Sequence, residues 1–399
     1  MNDIVIAGAS LAGARAAETL REEGFGGSIR IVGEEDRPPY DRPPLSKQVL
    51  AGEWDADRAT IPVPVDDLDV EWLLGRRASS LDVADRRIGL DGGDTLDFDG
   101  LVIATGARPR RLPGTEGLAG VHVVRTLDDS LGLRADLDAA PDRVVVIGAG
   151  FIGAEVAATC RGLGLAVTMI EAMPVPLVRA LGEEMGAACA EIHRDHGVDL
   201  RLGVGVAGLR GDQRVEAVEL ADGTVVPADV VVVGIGVVPN TEWLEGSGLT
   251  IADGVVCDET CLAAPGIVAA GDVARWPNPR FGVDMRVEHW DNALDQGAAA
   301  ARRLLAGDEG GVPYAPVPWF WSDQYDRKIQ LAGRPAPDDE VRVVIGSVEE
   351  RRFVALYGRA GRLVGVLGMN RPRHVMQYRM KIEQGITWDD ALAEIAVGG

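Results

Sequence analysis

The chain has 399 residues, more than one hydrophobic core usually serves, so two or three domains are expected. Its 62 acidic against 40 basic residues give a formal net charge of −22, which argues against nucleic acid and anionic membrane surfaces as partners. A hydrophobic content of 46% suits globular folding, and without an apolar run of about 18 residues a transmembrane helix is excluded.

Residues 1–3 lead straight into the apolar run Ile4-Val5-Ile6. That leaves no room for a signal or transit peptide, and a cytoplasmic protein is expected. The run has the length of a buried parallel strand. A turn of small residues follows, Gly8-Ala9-Ser10-Leu11-Ala12-Gly13, then good helix formers over 14–23 and a second apolar strand over 29–32 that ends at Gly33-Glu34. This is a βαβ unit with a dinucleotide fingerprint. Gly8 allows the tight turn, and Gly13 lets the helix lie close on the strand. The helix N-terminus offers free N–H groups to a pyrophosphate. Glu34, 26 residues after Gly8, is placed to accept hydrogen bonds from ribose hydroxyls. The middle glycine of the motif is Ser10, a departure that keeps a small side chain near the phosphates. A lone degenerate copy is a weak signal, whose alternative is an ordinary Gly-containing strand–helix turn.

Residues 35–47 read EDRPPYDRPPLSK. The four prolines stiffen a loop and forbid strand pairing. A rigid loop at the carboxyl end of a parallel strand can fix two cations, Arg42 near a pyrophosphate and Lys47 near a redox-active ring. Incidental surface charge is the alternative. The strand at 99–109, DGLVIATGARP, breaks into a turn that holds Ala104, Thr105 and Gly106.

The fingerprint recurs at 144–171, VVVIGAGFIGAEVAATCRGLGLAVTMIE. Gly148, Gly150 and Gly153 complete the motif around Phe151 and Ile152, and Glu171 lies 23 residues past Gly148. This copy has its own echo at 228–240, ADVVVVGIGVVPN, with Gly236 in the turn. Two copies of one architecture, about a domain apart, point to two dinucleotide-binding domains.

The four cysteines, Cys160, Cys189, Cys257 and Cys261, contain no CxxC pair. Cys257 and Cys261 are read as lying in an irregular, exposed stretch. Without nearby histidines no metal site is expected there. From Pro316 on, 12 Lys and Arg face 11 Asp and Glu, so the last segment is basic relative to the rest. Trp319, Phe320 and Trp321 crowd together at its start. Strand-like runs at 341–345, 353–357 and 363–367 suggest a small α+β domain.

YDRPPLSK, LVIATGARP, VAAGDVA at 268–274 and VPWFWSDQYD at 317–326, with the fingerprint pair, give the chain a family likeness over nearly its whole length. It resembles the FAD-dependent, NADH-linked ferredoxin reductases, the putidaredoxin reductase-like class, that serve bacterial cytochrome P450 and Rieske-type oxygenase systems. The wider class of two-dinucleotide flavoproteins includes glutathione reductase. The resemblance implies an α/β fold of two Rossmann-like, glutathione reductase-like domains plus a small α+β C-terminal domain. FAD would be held by residues 1–112 and 241–315, NADH by 113–240, and 316–399 would form the third domain. Ala12 and its turn would lie on the FAD pyrophosphate, Glu34 on the adenosine ribose, Lys47 by the flavin N5 edge and backbone near Ala78 on adenine. Arg125, the Gly271-Asp272 turn, Trp290 and Trp321 match flavin-contacting positions of the family. Glu155, just past Gly153, matches a glutamate that faces the nicotinamide and pairs with the loop lysine. Glu171, followed by Ala172 and Met173 rather than arginines, would repel a 2′-phosphate and favour NADH over NADPH.

The activity so implied is hydride transfer from NADH to FAD and one-electron delivery to an acidic ferredoxin. Arg302, Arg303, Arg371, Arg373, Arg379 and Lys381 are the candidate docking cations, and a monomer or weak dimer is expected. Two rivals remain. A disulfide reductase needs a redox cysteine pair, and neither the loop at 43–47 nor the second unit has one. A sensor flavoprotein like apoptosis-inducing factor would turn over sluggishly.

Overall fold

The computed structural model describes residues 1–61, 68–307 and 310–398. Its contacts divide the chain into two units, Met1–Asp41 with Thr60–Arg108 and Val238–Pro318, and Arg42–Ala59 with Pro109–Val237 and Trp319–Gly399.

In the first unit the apolar runs build one sheet in the order Leu262–Ala264, Ile267–Ala269, Gly100–Ile103, Asp3–Ala7, Ser28–Gly33, Glu71–Leu74. Every neighbouring pair is parallel except the first. Such a sheet is covered on both faces, which is why its strands read as unbroken apolar runs. Ile4 and Ile6 pack with Ala16, Ala17 and Leu20 of the helix Leu11–Glu22. Val5 and Ala7 pack on the opposite side with Leu81, Ile88 and Phe98, carried by or just after a three-stranded antiparallel excursion, Ala78–Asp82, Arg87–Leu90 and Thr95–Asp97. The helix Trp290–Ala306 lies close on Leu11–Glu22, since a Cβ on Gly297 would stand 2.5 Å from the Ala12 carbonyl oxygen.

The second unit repeats the plan. Its parallel sheet runs Asp199–Leu202, Ala166–Glu171, Arg143–Ile147, Val230–Val233, Val121–His122. From Trp319 the chain changes to a five-stranded antiparallel sheet followed by the helices Pro372–Gln384 and Trp388–Gly398. That sheet packs Ile329, Leu331, Phe353, Ala355, Tyr357, Leu367 and Met369 onto Leu181, Met185, Ala188, Cys189 and Ile192 of the helix Val178–Asp195. Each aliphatic side chain in this seam contributes about 1.5–3 kcal/mol.

At the edge of the seam, the buried His193 meets the Tyr325 hydroxyl through Nδ1 at 2.9 Å. Burial, with His196 adding to it, lowers the His193 pKa to about 4. The folded protein therefore holds His193 neutral, whereas the unfolded chain protonates it below about pH 6.5. The associated stability is full above that pH and is lost as pH falls towards 4. Between pH 7 and 4.5 the protein should lose about 2–3 kcal/mol more than a His193→Gln variant. Urea midpoints at the two pH values measure the difference, and equal losses would contradict the assignment.

Candidate functional site

Both fingerprint turns are built by the same backbone collisions. Gly8 has φ +124° and Gly148 φ +98°. A Cβ at Gly8 would strike the Ala104 carbonyl, and one at Gly148 the Gly234 carbonyl. Likewise a Cβ at Gly13 or Gly153 would strike the carbonyl of Gly8 or Gly148. Glycine is obligatory at all four positions. The middle position differs. Ser10 sits at φ −98°, ψ −166° and Gly150 at φ −73°, ψ 177°. Both are extended conformations open to any residue, so serine at position 10 costs the turn nothing. Neither Ser10 nor Gly150 makes a side-chain cap. The first N–H groups of Leu11–Glu22 and Phe151–Gly162 thus fit a pyrophosphate.

The acidic residues at the strand ends are held differently. Glu34 is exposed. Glu171 accepts from the Ala149 N–H at 2.8 Å through one oxygen and from the Met173 N–H at 2.9 Å through the other. Its carboxylate is fixed beside the fingerprint turn.

Around the first fingerprint, the turn at Ala104, Thr105 and Gly106 is tied to Asn240. Thr105 Oγ1 donates to the Asn240 carbonyl at 2.9 Å, and Asn240 Nδ2 to the Thr105 carbonyl at 2.8 Å. The Gly271 N–H donates to Gln296 Oε1 at 2.9 Å, which fixes the Gly271-Asp272 turn against the helix Trp290–Ala306. Arg286 donates to the Asp272 carbonyl at 3.1 Å. Trp290 donates through Nε1 to Asp41 at 2.8 Å. Ala78 is buried at the start of its strand.

The rest of the proline loop belongs to the second unit. The 3-10 turn Pro43–Ser46 is pinned twice, by Ser130 donating to the Leu45 carbonyl at 2.7 Å and Thr159 to the Ser46 carbonyl at 2.8 Å. Arg42 donates to the carbonyl of Arg125, which precedes a helix opened by a Thr126–Asp129 capping box. Lys47 follows the turn, and its Nζ lies 2.7 Å from Glu155 Oε2. Glu155 is 3% exposed, and two hydroxyls join the lysine on it: Ser46 on Oε2, and Ser322 on Oε1 at 2.8 Å. Gln324 donates to Ser322 at 3.1 Å. The pair singled out by the family motif is therefore a buried ion pair with all of its donors in one unit. Trp321 lies on the same strand, stacked on Trp319 at 5.2 Å, while Phe320 meets Phe151 edge-on at 4.4 Å. Ile152 is exposed at the start of its helix, as is Gly236 in the echo turn.

Sequence reasoning missed Ser46, Ser322, Gln324, Gln296, Asn240 and Asp41. Ser46, Asp41, Ser322 and Gln324 stood inside the motifs YDRPPLSK and WSDQ. Asn240 stood at the end of the echo run 228–240, whereas nothing in the sequence marks Gln296.

The cysteine expectation needs correction. Cys257 and Cys261 are buried, at 5% and 0% exposure. The Asp258 carboxylate caps a tight turn, accepting from the N–H groups of Thr260 and Leu262. The turn carries Cys261 inward, where Gln296 Nε2 approaches its sulfur. Burial pushes the thiols of Cys160, Cys189 and Cys261 up to about 12, and that of Cys257 higher still. None supplies thiolate near neutral pH. A variant with all four replaced by Ala or Ser should keep NADH–ferricyanide turnover if it folds. Lost turnover with flavin still bound would revive a cysteine mechanism.

The docking cations are unequally placed. Arg302 is paired with Glu23 at 2.7 Å, as surface arginines often are. Arg303 donates to Thr260 and to the Gly307 carbonyl. Arg373 is exposed. Burial and then Arg371 and Arg373 lower the pKa of His374, consistent with a positive local field. Arg379 stands 5.9 Å over Trp319, and Lys381 4.8 Å over Tyr378. Among the described residues no helix is long and apolar enough to cross a membrane.

Comparison with known proteins adds the family. Residues 2–297 match the pyridine nucleotide-disulphide oxidoreductase model, and 319–396 match a reductase C-terminal model. The chain is 41% identical over 384 residues to rhodocoxin reductase of Rhodococcus erythropolis, covering 94% of this chain and 88% of that protein. It is 39% identical over 389 residues to the ferredoxin–NAD(+) reductase component of the p-cumate 2,3-dioxygenase system of Pseudomonas putida, covering 96% and 94%. The crystal structure of the covalent putidaredoxin reductase–putidaredoxin complex matches with a TM-score of 0.92 at 34% identity, over 100% of this chain and 98% of that one.

Proposed function

The chain belongs to the pyridine nucleotide-disulphide oxidoreductase family, and we propose that within it the protein is an FAD-dependent reductase that takes hydride from NADH and passes electrons singly to a ferredoxin serving a cytochrome P450 or Rieske-type oxygenase. The observation that carries this is the pair of uncapped fingerprint helices, each on its own parallel sheet, together with the buried Lys47–Glu155 pair. FAD supplies the change from two-electron to one-electron transfer that joins nicotinamide to an iron–sulfur partner. The relatives named for ferredoxin reduction support the same reading. A disulfide reductase is disfavoured by four buried cysteines without a CxxC pair.

Residues 1–112 and 241–315 form the FAD domain, 113–240 the NAD domain and 316–399 a third domain. The family models, which meet between residues 297 and 319, support the last boundary. For FAD, the first turn (Gly8, Ser10, Leu11, Ala12, Gly13) and Arg42 take the pyrophosphate, Glu34 the ribose and Ala78 the adenine. Ala104, Thr105, Gly106, Arg125, Gly271, Asp272, Trp290 and Trp321 complete that set. For NADH, Gly148, Gly150, Phe151, Ile152 and Gly153 take the pyrophosphate, Glu171 the ribose, and Gly236 closes the turn. Lys47 and Glu155 govern charge at the redox ring. The protein is cytoplasmic, a monomer or weak dimer.

The protein should purify yellow, release FAD rather than FMN on denaturation, and reduce a ferredoxin at the expense of NADH. Absence of flavin, or failure with every ferredoxin of a broad panel, would falsify this reading. Docking of an acidic ferredoxin on so acidic a protein must rely on local basic residues, and the candidates are Arg302 and Arg303 in the first unit and Arg371 and Arg373 in the second, each taken by itself. Reversing Arg303 or Arg373 to Glu should raise the KM for ferredoxin several-fold more than that for ferricyanide, and the contact should weaken between about 50 and 300 mM salt. Indifference to both would remove these residues from the interface.

A further inference from the structure

Lys47 and Glu155 do not form an isolated pair. The carboxylate accepts from Lys47 and Ser46 on Oε2 and from Ser322 on Oε1. Ser322 is fully buried, as is Gln324, whose Nε2 donates to the Ser322 oxygen. That bond fixes the direction of the chain. A hydroxyl has one proton, and with Gln324 donating to its oxygen, the Ser322 proton is committed to Glu155. The donors come from two distant places. Ser46 stands in the pinned proline turn, while Ser322 and Gln324 stand on the first strand of the C-terminal sheet. Ser322 pairs with Ile329 across that strand, and Ile329 belongs to the apolar seam with the helix Val178–Asp195. The C-terminal sheet is therefore anchored in the unit by its core, and its edge strand reaches Glu155 through one hydroxyl.

We propose that Ser322, oriented by Gln324, is a positioning residue that fixes the free oxygen of Glu155 so that the other oxygen holds Lys47 at the redox ring. This deepens the functional reading above and rests on it. A carboxylate with one oxygen undirected can rotate about its Cγ–Cδ bond, and Lys47 then shares its bond between two orientations. The C-terminal sheet thus contributes a hydrogen bond to the ion pair.

The test compares wild type with Ser322→Ala, Ser322→Thr and Gln324→Met in the FAD-loaded, full-length protein. Stopped-flow reduction by NADH at saturation should slow about tenfold or more in Ser322→Ala, the scale of a lost hydrogen bond to a charged group, with little change in the NADH concentration at half-maximal rate. Ser322→Thr should restore most of the rate, and Gln324→Met should fall between. The midpoint potential of the bound flavin, read against redox dyes without NADH, should move to more negative values in Ser322→Ala, because a less firmly held Lys47 stabilises the reduced ring less. Unchanged potential and rate in Ser322→Ala, or a loss that Thr does not rescue, overturns the proposal. Wild-type FAD content and ferredoxin reduction in the same preparations test the functional reading separately. If they hold while the Ser322 effects are absent, only the positioning role fails.

Discussion

Replacing Lys47 by Met is expected to slow NADH-driven flavin reduction on the order of a hundredfold while FAD stays bound, the scale seen when one preorganised donor is taken from developing negative charge. FAD retention is expected because the turn proposed for the pyrophosphate is built from backbone at Gly8–Gly13 and owes nothing to the lysine. Stability should move differently from rate. Glu155 and Lys47 are 4% and 12% exposed in their side chains, so each single change leaves a charge in a dry site. Glu155→Leu leaves the ammonium unpaired, and Lys47→Met leaves the carboxylate with only the two serine hydroxyls. Breaking a buried pair from one side costs about 3–5 kcal/mol. The double variant Lys47→Met/Glu155→Leu removes both charges together and should unfold at a higher temperature than either single variant. Its flavin reduction should remain as slow as that of Lys47→Met, because the cation proposed for the ring is absent from both. Thermal melts beside single-turnover reduction separate the two effects. A double variant that regained the rate would show the pair to be structural.

What could be read beforehand was the part written locally. Gly8, Gly13, Gly148 and Gly153 announce themselves because each must avoid a carbonyl within its own βαβ unit or the echo strand. The alternation from apolar run to small-residue turn fixes both parallel sheets. The Lys47–Glu155 pairing, by contrast, joins residues 108 positions apart, and only family resemblance suggested it. Ser322 lies 167 positions from its acceptor. Serine carries no periodicity that would mark it as a partner rather than a polar residue on a strand. Cys257 and Cys261 were misplaced for a related reason. The stretch looks irregular, and it is irregular, but the Asp258 cap folds it inward, and Cys261 adopts φ +72° to follow. Irregularity and exposure are separate properties, joined only by habit. Gln296, which holds the Gly271 turn, was invisible because a buried glutamine in a helix resembles an exposed one until its acceptor is given a partner.

Coenzyme choice should turn on Glu171, and wild-type enzyme is expected to favour NADH over NADPH by about a hundredfold or more in kcat/KM, as like-charge repulsion plus lost hydrogen bonding would give. The geometry gives a reason to expect firm discrimination. The carboxylate cannot swing away from a 2′-phosphate, because the Ala149 and Met173 N–H groups hold one oxygen each. The same two bonds leave lone pairs free for a ribose hydroxyl. Glu171→Gln keeps the shape, removes the charge and turns an NH2 towards one of the two backbone donors. It should lower the preference to roughly tenfold, with most of the change in the KM for NADPH, since the reacting end of the coenzyme is untouched. Glu171→Ala frees both backbone N–H groups to face the extra phosphate, and near-equal use of the two coenzymes is expected, with KM for NADH raised and kcat little altered. Glu171→Arg adds a cation and should invert the preference, though with a looser turn because Ala149 and Met173 lose their acceptor. Steady-state kcat/KM with both coenzymes, using ferricyanide as acceptor, measures the series. An unchanged ratio in Glu171→Ala would mean that selectivity lies elsewhere in the second fingerprint.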